Sequence, residues 1–312
     1  MRREGSPWQG VGAVILKELA DQLSSARMRV IEWLIILSAL AALYGASQQL
    51  RDVAAEDQFL FLKLFTTARD PLPSLVSLLI FLVPILAIGI GFDAINGEYN
   101  RRTMSRILAQ PIYRDALLLG KFLAGLATLA ISLVALWLVV VGLGLLTLGL
   151  PPGLDEMLRS LAFLGVTIVY GGIWLALAML LSVIFRSPAT AALAALGAWL
   201  FFTFLWPVLA PPIAEILFSG ATQETTVIGS QMLARLSPST LFGEVVLALL
   251  NPTTRTLGPI YLSQLQGAVL GAPLPLAESL MVAWPQIVAL ASAVILLFVT
   301  SYVAFQRQEV RA

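Results

Sequence analysis

The chain contains no cysteine and no histidine. Their absence removes disulfides, thiolate chemistry, haem ligation by either residue, zinc sites of the usual kind and histidine-based acid–base catalysis. Charge is scarce as well. Asp, Glu, Lys and Arg make up 12% of the 312 residues, against about 25% in a soluble domain. A water-facing surface could not be covered with so few. Apolar residues make up 59%, so lipid is the solvent this sequence expects. The net charge of +1 argues neither way on nucleic acid, and the placement of charge matters more. No nucleic-acid partner is expected. The start, Met1-Arg2-Arg3-Glu4-Gly5, is basic, but no apolar core with a small-residue cleavage site follows, so no cleavable signal peptide is read.

What is present is a set of charge-free apolar runs, each near the 20 or so residues that cross a bilayer. They run from Trp33 to Gln49, Pro71 to Phe92 (with Pro84 as a kink), Phe122 to Gly153, Ser160 to Phe185, Ser187 to Ala210 and Leu280 to Gln306. The fold class is therefore all-α integral membrane, with six transmembrane helices. Six spans place both termini on one side. Arg2, Arg3, Lys17, Arg27, Arg29, Arg101, Arg102, Arg106, Arg114, Lys121, Arg186, Arg307 and Arg311 share that side, 13 basic residues against 6 on the other. By the positive-inside bias the basic side is cytoplasmic. A cell membrane is expected, a prokaryotic inner membrane above all.

Four regions follow. Residues 1–29 form a cytoplasmic N-terminus whose stretch 11–28 carries Val11, Ile15, Leu19 and Leu23 on one stripe. This reads as a helix in the headgroup plane, or else as an extension of the first span. Residues 30–210 hold spans one to five. Residues 211–279 read as an extracytoplasmic segment of short helices resting on the outer face, not a re-entrant hairpin. The uncharged stretch from Thr256 to Ala277, broken by Pro259, Pro273 and Pro275, reads as loop and short helix. Residues 280–312 supply the sixth span and a cytoplasmic tail.

Residues 91–125 are the most informative: GFDAINGEYNRRTMSRILAQPIYRDALLLGKFLAG. A span ends at Phe92 and Asp93 sits at headgroup level. Gly97 and Asn100 break the helix. A basic amphipathic piece follows, with Met104, Ile107 and Leu108 on one side and Arg101, Arg102 and Arg106 on the other, until Pro111 ends it. Such an apolar ridge suits docking into a groove on a cytosolic partner.

This stretch resembles the cytoplasmic signature of ABC exporter permeases of the type-2 class, which have the six-span type V exporter fold. That family reads F-D-x-I-x-G-E, a polar stretch, a Thr with a hydrophobic residue, then P-x-x-R and G-K. The matching residues are Phe92, Asp93, Ile95, Gly97, Glu98, Thr103, Met104, Pro111, Arg114, Gly120 and Lys121. The pattern departs at Arg102, where the family often has Gly, and at Met104, where Leu is usual. Leu236-Ser237-Pro238-Ser239-Thr240-Leu241 is similar to a segment before the last span in some relatives. The resemblance implies a half-transporter: two copies of the chain paired with two ABC ATP-binding subunits, with residues 98–113 as the coupling helix. Asp93, Glu98, Arg101, Arg102, Met104, Ile107, Leu108, Arg114 and Arg186 would then couple to the ATP-binding subunit, with Arg186-Ser187-Pro188 as a smaller second contact. No G-x-x-x-x-G-K-[ST] phosphate loop occurs in the sequence, so ATP and Mg belong to the partner and no catalytic, cofactor or metal residue is expected here.

Plainer readings stand beside these. Asp93 and Glu98 are either charged coupling contacts or caps that pair Arg101 or Arg102. Glu32 reads as an interfacial partner of Arg29. Pro84, Trp199, Phe202 and Trp206 are either a substrate path or, for the aromatics, belt and packing. Gly89 with Gly91, Gly142 with Gly144, and Gly171-Gly172 read as close-packing sites. The main expectation is the permease of an ATP-driven exporter, homodimeric, lipid-embedded and with an extracytoplasmic partner. The alternative is a non-transporting membrane anchor or signal-relay subunit. Substrate identity lies beyond the residues.

Overall fold

The computed structural model describes residues 10–50, 59–103, 114–149, 151–258 and 273–307. Among them the regular elements are all helices, and six are long and apolar enough to cross a membrane. The chain opens with α1 (Val11–Ser24) and turns into α2 (Ala26–Leu50) at Ser25. That serine adopts an extended backbone, and its hydroxyl oxygen accepts the Met28 N–H at 3.1 Å. It thus ends one helix and caps the next, which separates α1 from the first span. A short α3 (Leu60–Thr66) precedes α4 (Leu75–Gly91), the second span, whose N-cap Ser74 accepts from Ser77 N–H. One turn of α5 (Asn96–Asn100) follows.

The third and fourth spans are α6 (Arg114–Leu148) and α7 (Leu154–Ile184). α7 is the centre of the molecule, with Tyr170, Trp174 and Leu175 fully buried. Small residues let its neighbours approach. A Cβ on Gly171 would meet Leu129 of α6 at 2.7 Å and Val83 of α4 at 2.9 Å, and one on Gly91 would meet the Leu175 carbonyl at 3.0 Å. Gly142, by contrast, has nothing within 4 Å and is no packing site.

The fifth span is one continuous rod in three parts: α8 (Pro188–Leu200), a π-helical turn (Phe201–Leu205) and α9 (Trp206–Leu217). Pro207 explains the π turn. It has no N–H, and its ring would press on the carbonyl four residues back, at Thr203; widening the helix there relieves both.

Next come α10 (Gln223–Ala234), α11 (Pro238–Leu250) and finally α12 (Leu276–Arg307), the sixth span. Here the helices expected to rest on the outer ends pack against the sides of other spans instead. α10 returns antiparallel beside α9: the Trp206 indole N–H donates to the Leu233 carbonyl at 2.7 Å, and Gly229 lies against the Phe218 ring. α11 then bends away by 104° and runs along the first half of α7. Phe242 stacks on Tyr170 with ring centroids 4.4 Å apart, and the Leu249 carbonyl accepts from Arg159 at 3.1 Å. The turn between α10 and α11 sits level with Phe202, whose carbonyl accepts the Ser237 hydroxyl at 2.7 Å. The pair therefore dips back between the spans. It can do so because α11 is mostly apolar, with Phe242, Val245 and Leu249 fully buried, and because its charges are paired internally: Arg235 lies 2.9 Å from Glu244, whose carboxylate also accepts from Gln286 of α12 at 2.8 Å.

At the end of α7 opposite the basic side, Arg159 is fully buried. It donates to Asp155, to the Leu249 and Leu274 carbonyls and to Ser279. Glu156 beside it accepts the backbone N–H groups of Phe61 and Gly153. Two charged side chains on the same turn of α7 thereby gather α3, α7, α11 and α12 into one collar.

Candidate functional site

The richest polar construction lies at the other end, where α4 gives way to α5. α4 stops at Gly91, and Phe92 to Ile95 form hydrogen-bonded turns before α5 takes one turn. Asp93 lies 2.9 Å from Arg27, whose guanidinium covers the Phe92 ring at 4.8 Å, and 3.9 Å from Arg101. Both pairs are open to solvent, so each contributes little on its own. They do fix where the chain leaves the second span relative to the α1–α2 joint.

Deeper in sits Lys121, only 3% exposed. Its ammonium is 2.8 Å from Glu18 of α1 and 3.1 Å from Glu98 of α5. The second Glu98 oxygen accepts the Thr103 hydroxyl, and the Thr103 N–H closes the turn on the Glu98 carbonyl at 3.0 Å. One buried cation thus joins three elements, α1, α5 and α6. Lys17 lines the same cleft of about 200 Å³ and lies 3.1 Å from Glu18. Burial pulls the Lys17 ammonium down, but the Glu18 and Asp21 carboxylates outweigh it and raise the pKa above the usual lysine value. Further along α1, Gln22 accepts the Thr128 hydroxyl at 2.6 Å, so α1 follows α6 for three turns. Glu32 accepts the Ser132 hydroxyl at 2.9 Å; this, not the expected Arg29 pair, is its contact.

A second lock ties α5 to the far end of α7. The first N–H groups of a helix have no partner within it. For α5 the hydroxyl oxygen of Ser182 accepts both the Ile95 N–H at 3.0 Å and the Asn96 N–H at 3.2 Å. In return, the fully buried Asn96 amide donates to the Phe185 carbonyl at 3.2 Å, one of the free acceptors where α7 ends. Each helix end satisfies the other.

Asp93, Glu98 and Arg101 line one cleft; Asp93 lies near Arg101, whereas Glu98 pairs with Lys121 rather than with Arg101 or Arg102. Arg102 is exposed and adopts a left-handed backbone, φ 55°. Arg114 belongs elsewhere: it starts α6, donates to the Phe305 carbonyl at 3.4 Å and covers the Phe305 ring at 5.1 Å. Arg186 is exposed on the turn between α7 and α8. Met104, Ile107 and Leu108, with all of 104–113, lie outside the described residues. The aromatic wall divides. Trp199 and Phe204 face α4, where Phe204 stacks on Phe81 at 5.5 Å, whereas Phe202 and Trp206 meet the α10–α11 turn. Pro84 is buried within an unbroken α4. Sequence reasoning does not single out Glu18, Asn96, Ser182 or Arg159. For Lys121 the G-K pair is a signal, but a lone Asn or Ser in an apolar run offers none. Among the described residues no cluster of three Asp or Glu is placed to hold a metal ion. The arrangement ties α1, α5, α6 and the end of α7 together at the basic end.

Residues 12–310 match the family described as ABC-2 family transporter protein. Over 178 residues the chain is 34% identical to the probable ABC transporter permease protein NosY of Pseudomonas aeruginosa, covering 55% of this chain and 59% of that one. It is also 34% identical over 116 residues to the protein of the same name from Stutzerimonas stutzeri, covering 37% and 38%. The matched part is thus less than two thirds of either curated relative's length.

Proposed function

The chain belongs to the ABC-2 family of transporter proteins, and we propose that, as the membrane permease subunit of an ABC transporter, it works as an exporter driven by ATP hydrolysis on a separate subunit. The observation that supports this most is the joint at Lys121. The segment leaving the second span is tied by a buried cation to α1 and α6, and continues directly into the stretch that resembles a coupling helix. A push on that stretch is passed to three helices at once. The basic end is then the cytoplasmic one, by the positive-inside bias. The permease works as a pair of identical copies with two ATP-binding subunits, and its α10–α11 hairpin faces an extracytoplasmic partner or the substrate's exit. Closure of the ATP-binding subunits would shift the population between two packings of the spans around a shared cavity. Pro84, Trp199, Phe202 and Trp206 are proposed for the substrate path, now as two patches on either side of the fifth span.

The test is Leu108→Asp in the chain co-expressed with its ATP-binding subunit. A carboxylate placed in a dry groove costs several kcal/mol, so the variant inserts normally but no longer co-purifies with the ATPase. Unchanged co-purification would make 98–113 a solvated connector and leave the coupling-helix reading on resemblance alone, and a parent complex that moves nothing on ATP would overturn the exporter reading.

A further inference from the structure

Resting on the exporter reading, we infer that Asn96 and Ser182 are positioning residues for coupling, locking the Arg186–Pro188 turn to the Asp93–Thr103 segment so that both move as one body. Neither residue reaches the surface: Asn96 is 0% and Ser182 1% exposed. Neither would touch an ATP-binding subunit. Their bonds nevertheless join two loops that are 83 or more residues apart in sequence yet lie at the same end of the molecule.

Ordinary packing does not account for this pair. Close approach of α4 and α7 is already secured at Gly91, against Leu175 and Ala178. A leucine-like side chain at position 96 would fill the interior without burying an amide. Instead Asn96 keeps its Oδ1 buried with no partner among the described residues, a penalty that an apolar residue avoids. What the amide provides is direction. Its N–H points at the Phe185 carbonyl, one residue before Arg186. Ser182, three residues earlier on α7, holds two successive backbone N–H groups of α5. Three hydrogen bonds from two side chains therefore fix α5 in both translation and rotation relative to the turn. Glu98, two residues beyond Asn96, carries the same motion on to Lys121. Without the lock, a partner pressing on Arg186 would reach only α7 and α8 directly, and one pressing on α5 would reach only α4 and, through Lys121, α1 and α6.

The chain has no native cysteine, so two spin labels can be placed uniquely, at Arg101→Cys and Arg186→Cys. The full chain in lipid nanodiscs, diluted with unlabelled chain, gives the distance distribution within one copy. We expect a single narrow distance in the parent and in Ser182→Thr, which keeps the hydroxyl. Ser182→Ala and Asn96→Leu should broaden it while the melting temperature falls by only about 2–8 °C, the cost of the hydrogen bonds lost. In the complex with the ATP-binding subunit, the two broadened variants should keep ATP hydrolysis but lose about tenfold in transport per ATP. A narrow distance in both, or broadening with transport per ATP unchanged, overturns the inference alone. A parent complex that moves nothing on ATP brings down the exporter reading and this inference together.

Discussion

Lys121 on α6 and Glu98 on α5 lie 3.1 Å apart, and the same ammonium reaches Glu18 on α1 at 2.8 Å. All three side chains are largely withdrawn from water, with exposures of 3%, 12% and 13%. Removing the cation leaves Glu98 without its ion-pair partner in a half-dry cleft, and leaves Glu18 with only the more exposed Lys17. Lys121→Met should therefore destabilise the chain by about 3–5 kcal/mol. Adding Glu18→Gln and Glu98→Gln to it should restore most of that. Denaturant unfolding in detergent micelles reads both. A neutral Lys121→Met would mean the joint does not hold the three helices.

Arg159 offers a sharper geometric test. Its guanidinium serves Asp155, Ser279 and two carbonyls on separate elements, an arrangement that needs a planar fork of donors. Lysine keeps the charge but not the fork. Arg159→Lys should thus lower the melting temperature nearly as much as Arg159→Met. Full recovery by lysine would show that charge alone is what the site requires.

The dipping hairpin makes a claim on proximity. With Tyr170→Cys and Phe242→Cys in the same chain, a short bis-methanethiosulfonate should bridge the two positions in native membranes, since the parent rings stack at 4.4 Å. A hairpin lying flat on the ends of the spans would keep them far apart. No cross-link, with both single cysteines reactive, would favour that flat arrangement.

Sidedness rests on the basic residues and is read by labelling. Cysteine at Gly153 or Ala221, both exposed, should react with an impermeant maleimide on intact cells. Cysteine at Arg101, also exposed, should react only after permeabilisation. The reverse pattern would invert the topology.

The six spans are legible in the sequence because lipid tolerates so little charge, and an uninterrupted apolar run of about 20 residues fits a bilayer far better than water. Their ends are less so. The fifth span continues past Ala210 to Leu217 through Pro211 and Pro212, residues that normally signal a stop. The hairpin escapes a sequence reading for a related reason. Arg235 and Glu244 look water-seeking one at a time, and only the fold shows that they pair with each other and that Glu244 also accepts from the Gln286 amide. At the basic end, Asp93, Glu98 and Arg101 are visible through a motif. Asn96 and Ser182 are not, because a reciprocal cap between residues 86 positions apart leaves no local pattern.

Protein synthesis delivers Arg159 and Glu244 well before Ser279 and Gln286, their partners on the last helix. Until that helix leaves the ribosome, a guanidinium and a carboxylate stand beside the bilayer with part of their bonding unmet. The hairpin cannot settle against α7 and α12 until both are in place. The C-terminal helix is thus the keystone of assembly, and a chain cut short before Leu276 is left with open polar groups that quality-control proteases of the membrane can recognise.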